Sequence, residues 1–177
     1  NLGMEEDSII RLEVSFRCTV PIMTLAHKVA GDPKKVEGRA GSDPEWHKAE
    51  DRDGMLDHLV DWANRLVKAD PYKLIALICR YPKQAMELKE ELEEFLPGEV
   101  RLGHRDQFSF EPGIMVTNIH QVKGLEFDSV ALIEPDEENY PIKREESRNM
   151  VYVGITRTQD DLLIATVKPY SRVFFYN

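Results

Sequence analysis

Apolar positions along the chain follow two alternating periods. Val20, Ile22, Met23, Leu25, Ala26 and Val29 recur at helical spacing within Thr19 to Ala30 and stop at Gly31, which predicts a helix with a glycine end. Met55 to Val67 repeats that spacing through Leu59, Trp62, Leu66 and Val67, ahead of Asp70-Pro71. From Leu74 onward, short apolar runs alternate with amphipathic stretches. They predict a strand at Leu74 to Cys79, a helix at Pro82 to Leu96, a weak strand near Val100, strands at Ile114 to Ile119 and Ser129 to Ile133, a helix at Glu145 to Thr158 and a last strand at Leu162 to Val167. Ser8 to Val14 reads as a short strand. Asp32 to Asp53, rich in Gly, Pro and charge, reads as a long connection holding a short strand near Trp46. Such alternation implies right-handed βαβ crossovers, so the expected class is α/β, a mostly parallel sheet flanked by helices.

Composition narrows this picture. At 177 residues, 42% of them hydrophobic, the chain is long enough for one buried core, and a single domain over residues 1–177 is expected. The longest apolar runs fall far short of the roughly 20 residues of a membrane span, and the acidic start lacks a signal-peptide n-region, so a cytoplasmic protein without membrane contact is expected. Cys18 and Cys79 have no paired Cys or His neighbours, so two buried thiols are expected and no metal site. The net charge of -9 argues against coating nucleic acid by bulk electrostatics. Acid is nevertheless concentrated away from His120, Lys123, Arg144, Arg148 and Arg157, which leaves a less acidic face compatible with DNA.

Candidate chemistry lies in two blocks. In Thr117 to Phe127 (Thr-Asn-Ile-His-Gln-Val-Lys-Gly-Leu-Glu-Phe), polar residues occupy a connection at a strand's carboxyl end, where open α/β sheets bind ligands. Thr117 and His120 can donate to phosphate oxygens, Gly124 permits a turn or close approach, and Glu126 suits a sugar hydroxyl. In the second block, residues 148–161, Arg157 follows Thr156 near the end of a helix carrying Val151, Val153 and Ile155. Taken alone, these residues read better as a polar turn with a surface histidine, and as a helix-end arginine offsetting the dipole or pairing with Asp160 or Asp161.

Jointly, the two blocks resemble motifs V and VI of the UvrD/Rep-like helicases of superfamily 1, which translocate on single-stranded DNA by hydrolysing ATP. Val14-Ser15-Phe16-Arg17-Cys18-Thr19 resembles motif IV, though only Arg17 matches strictly, and Cys79-Arg80 with Gln84 resembles the family's Tyr-Arg-Thr-Asn segment. The resemblance covers about Ile10 to Thr166 and implies the second RecA-like domain of such a motor. Between Leu96 and Gly113, UvrD and Rep proteins carry an inserted helical subdomain, and here only a short connection stands.

No Gly-x-x-x-x-Gly-Lys-Ser/Thr phosphate loop occurs, so the ATP-binding first domain, with its Mg²⁺, is expected to lie off this chain. The resemblance places Arg17 and Arg157 on the γ-phosphate, Gly124 and Glu126 at the nucleotide, and Thr117, His120 and Arg80 on single-stranded DNA. Glu134 to Glu138 superficially imitates a metal-binding strand end; without a phosphate loop it reads as a solvated acidic loop. A helicase fused to a nuclease, or a catalytically silent interaction module, are the alternatives.

Overall fold

The computed structural model describes residues 14–15, 17–104 and 108–175. Among them, a six-stranded, wholly parallel sheet is ordered β3 (Glu45–Lys48), β8 (Thr158–Thr166), β7 (Phe127–Ile133), β4 (Leu74–Cys79), β6 (Gly113–Asn118), β5 (Val100–Leu102). Every residue of β4 is buried, as expected of a central strand covered on both faces. A separate two-stranded parallel ribbon joins β1 (Val14–Ser15) to β2 (Glu37–Gly38). The strand expected over Ser8 to Val14 lies, apart from Val14, outside the described residues.

Two helices cover each face. α2 (Arg52–Ala69) and α3 (Pro82–Phe95) bury Leu59, Trp62, Leu66, Leu88 and Leu92 against Ile75, Leu77, Val116 and Ala131. On the opposite face, α1 (Val20–Ala30) and α4 (Glu145–Ile155) bury Ile22, Ala26, Val151 and Ile155 against Ala76, Ile78, Val130 and Leu132. Alternate residues of the strands thus feed separate cores, a three-layer α/β/α arrangement.

Helix ends follow local chemistry. Asp51 caps α2 by accepting from Gly54 N at 2.9 Å, and α1 ends on Gly31 with φ 76°, where its N–H reaches the last carbonyls. α4 stops at Ile155, short of the expected Thr158, because Thr158 to Thr166 pairs with β7 as a strand of nine residues. The polar run Thr158 to Asp161 disguised the start of that strand: Asp161 takes up Lys73 at 2.6 Å and Ser129 at 2.8 Å, so acidic residues enter the sheet already paired. Trp46 stands on edge strand β3, the short strand expected near it, at 39% exposure with its ring against Tyr170 and Phe174.

Candidate functional site

β6 and β7 are parallel, yet they flank β4 and are joined by residues 119–126 alone. Asn118 pairs with Cys79 at the carboxyl end of β4, whereas Ser129 pairs with Ile75 near its amino end. The connection must therefore run the length of the sheet, with Ile119 and Val122 buried beneath it. This corrects the expectation that the whole motif sits at one carboxyl end: Thr117 and His120 lie there, while Gly124 and Glu126 lie at the opposite end.

At the carboxyl end, Arg80 follows β4 and is 8% exposed. Its Nη1 donates to His120 Nε2 at 2.7 Å, its Nε donates to the Asn139 carbonyl at 3.3 Å, and its guanidinium lies 4.6 Å from the Tyr81 ring centroid. An arginine has only donors, so His120 Nε2 must accept in this contact. The exposed His120 also borders an open cleft between the connection and α4, lined in part by Lys123, Asn149 and Met150. Thr117 is fully buried, and its hydroxyl donates to the Gly103 carbonyl at 2.8 Å. The reason is register: Thr117 is the fifth residue of β6 and points into the sheet packing, so its hydroxyl is not presented at the surface with His120.

At the amino end, Arg157 leaves α4 with its guanidinium held by backbone and hydroxyl oxygens. Nε donates to Val153 O at 3.1 Å, Nη1 to Leu125 O at 3.0 Å and Nη2 to Thr156 Oγ1 at 3.2 Å. Burial, and then the nearby charge of Arg17, push its pKa down. Arg17 forms an ion pair with Glu126, Nη2 to Oε1 at 2.6 Å, and both side chains are substantially exposed. Gly124 has φ +85°, and an added Cβ there would meet no atom within 4 Å, so the backbone before Glu126 faces open space. The three charged residues expected at the nucleotide thus gather at one place.

Sequence reasoning missed the groups that hold these side chains. Arg39 donates to Arg17 O at 3.4 Å, to Gln159 O at 2.7 Å and to Asp160 at 2.6 Å, tying the Arg17 segment to the start of β8 from more than 100 residues away. The Glu134 to Glu138 segment is also more than a solvated loop. Asp136 is 2% exposed and accepts from the Glu138 and Asn139 N–H groups, both at 2.9 Å. Cys18 and Cys79 are both free and buried. Among the described residues, no helix is long and apolar enough to cross a membrane.

Six parallel strands sandwiched between helix pairs, with polar groups gathered at both ends, define a RecA-like α/β domain. Residues 99–169 match the UvrD-like helicase C-terminal domain, a span that includes Thr117, His120, Gly124, Glu126 and Arg157 but not Arg17 or Arg80. Over that span the chain is thus similar to the UvrD-like helicase C-terminal domain. Among solved structures, it is similar to the C-terminal domain of a possible DNA helicase from Lactobacillus plantarum WCFS1. That match has 23% identity and a TM-score of 0.75, covering 91% of this chain and 92% of that one. It is also similar in fold to the Sulfolobus solfataricus SWI2/SNF2 ATPase core in complex with dsDNA, at 11% identity and a TM-score of 0.57, covering 91% of this chain and 34% of that one. No curated protein matches the chain.

Proposed function

We propose that this domain is the second motor domain of an ATP-dependent superfamily 1 DNA helicase. ATP and Mg²⁺ are held by a partner RecA-like domain, and closure of the two brings Arg17 and Arg157 onto the γ-phosphate. Glu126 then exchanges its pair with Arg17 for the ribose, while the open backbone at Gly124 admits the nucleotide. Single-stranded DNA is gripped at the other end of the sheet by Arg80 and His120, with Thr117 supporting the end of the strand that carries His120.

The observation that carries this reading is the clustering of Arg157, Arg17 and Glu126. Arg157 is fixed by three hydrogen bonds, none to a carboxylate, so its charge is not neutralised by a partner of its own. Phosphoryl transfer asks for such a preorganised cation on the transferred group, and an arginine supplied across a cleft accelerates it by about 10³ to 10⁵. Two arginines at one spot repel each other unless an anion joins them, and Glu126 is that anion in this structure.

The test is ATP hydrolysis by the intact protein, with and without single-stranded DNA, beside an Arg157→Ala variant. Stimulation by DNA, with turnover lowered about 10³-fold in the variant at little-changed ATP affinity, is the expected result. An inactive intact protein that still binds a protein partner would replace the motor reading with that of an interaction module. The 177-residue chain alone is expected to show no ATPase activity, and turnover by a contaminant-free sample would overturn the division of labour.

A further inference from the structure

We infer that Asn139, braced by Asp136, is a positioning residue that sets the orientation of Arg80 and Gln84, and through Arg80 that of His120. Every polar atom of the Asn139 side chain is engaged. Nδ2 donates to Glu134 O at 2.9 Å and reaches Asp136 Oδ2 at 3.4 Å, and Oδ1 accepts from Gln84 Nε2 at 2.9 Å. Its backbone carbonyl accepts from Arg80 Nε, and its N–H is taken by Asp136 Oδ1. Asn139 therefore bridges two elements far apart in sequence, the segment after β7 and the corner between β4 and α3.

The backbone around it is built to that end. Glu134 has φ +50°, a left-handed conformation uncommon for a residue with a side chain, and its carbonyl is the one that Asn139 Nδ2 takes up. Asp136, nearly fully buried, accepts the two N–H groups that shape the turn, and Tyr140, buried behind it, places its ring 5.7 Å from the Arg80 guanidinium. Gln84 accepts from Tyr81 N at 3.0 Å through Oε1 while its amide nitrogen points to Asn139. The Arg80 fork is held on one side by the Asn139 carbonyl and on the other by His120, and the Asn139 side chain fixes that carbonyl through Glu134, Asp136 and Gln84, so losing the side chain loosens the first hold and with it the second. An arginine with a fixed fork loses less entropy on meeting a phosphate than one that must be ordered at the encounter.

This inference rests on the proposed grip of DNA by Arg80 and His120. The test is single-stranded DNA binding and DNA-stimulated ATP hydrolysis by the intact protein carrying Asn139→Ala, Gln84→Glu, Arg80→Ala and the Arg80→Ala/Asn139→Ala pair. Gln84→Glu keeps the acceptor for Tyr81 N and replaces only the donor to Asn139, so it serves if Asn139→Ala fails to fold. Each of these two substitutions should raise the DNA concentration for half-maximal stimulation roughly fivefold, the effect of one ordinary hydrogen bond, with turnover at saturating DNA unchanged. The double variant should bind no more weakly than Arg80→Ala alone, because the two residues act as one unit.

If Arg80→Ala weakens DNA binding but the Asn139 loss adds to it in full, or Gln84→Glu has no effect, the positioning role is wrong and the DNA reading stands. If the wild type does not bind DNA at all, or Arg80→Ala changes nothing, the DNA reading itself falls and takes this inference with it.

Discussion

Arg17 and Glu126 meet at 2.6 Å, across a gap of more than 100 residues, at the amino end of the sheet beside Arg157. The pair places both residues where the nucleotide is proposed to lie, but bonded to each other. Because both side chains are substantially exposed, the pair contributes little to folding, about 0 to 1 kcal/mol.

That disparity yields the first prediction. Glu126→Ala should lower the unfolding free energy from urea titration by no more than about 1 kcal/mol. It should also weaken ATP binding by the intact protein, because it removes the acceptor proposed for the ribose hydroxyl. Calorimetric titration with a non-hydrolysable ATP analogue reads the second effect. Unchanged affinity would remove Glu126 from the nucleotide site.

Gly124 and Gly154 should respond to alanine for different reasons. At Gly124 the added methyl meets nothing within 4 Å, so only the cost of φ +85° remains, about 1 to 2 kcal/mol. At Gly154 the added carbon would stand 2.7 Å from Leu132 Cδ2 and 3.1 Å from Ile119 Cδ1, where α4 packs on the sheet, an overpacking cost of about 1 to 3 kcal/mol. A second change, Leu132→Val, should recover part of the Gly154→Ala loss and none of the Gly124→Ala loss. Chemical denaturation of the four variants decides; equal rescue would mean that both glycines answer to packing.

Much of the fold could be read from periodicity, since buried central strands such as Leu74 to Cys79 show as unbroken apolar runs and α3 shows a clean helical repeat. Lateral order could not, because the apolar pattern of β7 is the same whether β4 or β6 lies beside it. That order is what sends residues 119–126 down the sheet and separates His120 from Glu126. The candidate residues Arg17, Glu126 and Arg157 could be found because phosphate and ribose chemistry restricts residue types. The supports, Arg39 for the Arg17 segment and Asn139 for Arg80, work through backbone carbonyls or paired amides, which many residue types can serve, so no local pattern announces them. The burial of Thr117 was hidden for the same reason: its polarity is satisfied by one carbonyl, that of Gly103.

Stability should fall on mild acidification, through His47. Its ring is stacked on His58 at 3.7 Å, and its Nε2 is buried without a partner. Burial, and next the facing His58, hold its pKa below the ordinary histidine value of 6.5, while Glu45 acts in the opposite direction. A folded pKa below the unfolded one means the unfolded chain binds more protons in between, so the neutral-His47 contribution is complete above pH about 6.5 and fades as pH falls toward the folded value. The urea midpoint should therefore drop between pH 7.5 and 5.5, and His47→Phe, which keeps a stacked ring without a titrating nitrogen, should flatten that drop. An equal slope in the variant would place the acid sensitivity elsewhere.

Thr117 separates a structural from a contacting role within the strand-end motif. Thr117→Val keeps the shape and removes the hydroxyl, leaving the Gly103 carbonyl without its 2.8 Å donor inside the protein. An unsatisfied buried acceptor costs about 1 to 3 kcal/mol, so the folded state should weaken by that amount. DNA affinity, measured by fluorescence anisotropy well below the unfolding transition, should stay within about twofold of wild type, since the buried hydroxyl does not reach the surface that His120 presents. Its salt dependence should likewise be unchanged, whereas Arg80→Ala should lower the slope of log affinity against log salt by about one contact. A Thr117→Val variant that folds normally yet loses DNA affinity as Arg80→Ala does would mean that β6 rearranges on binding to expose this hydroxyl, and the burial described for it would belong to the DNA-free state alone.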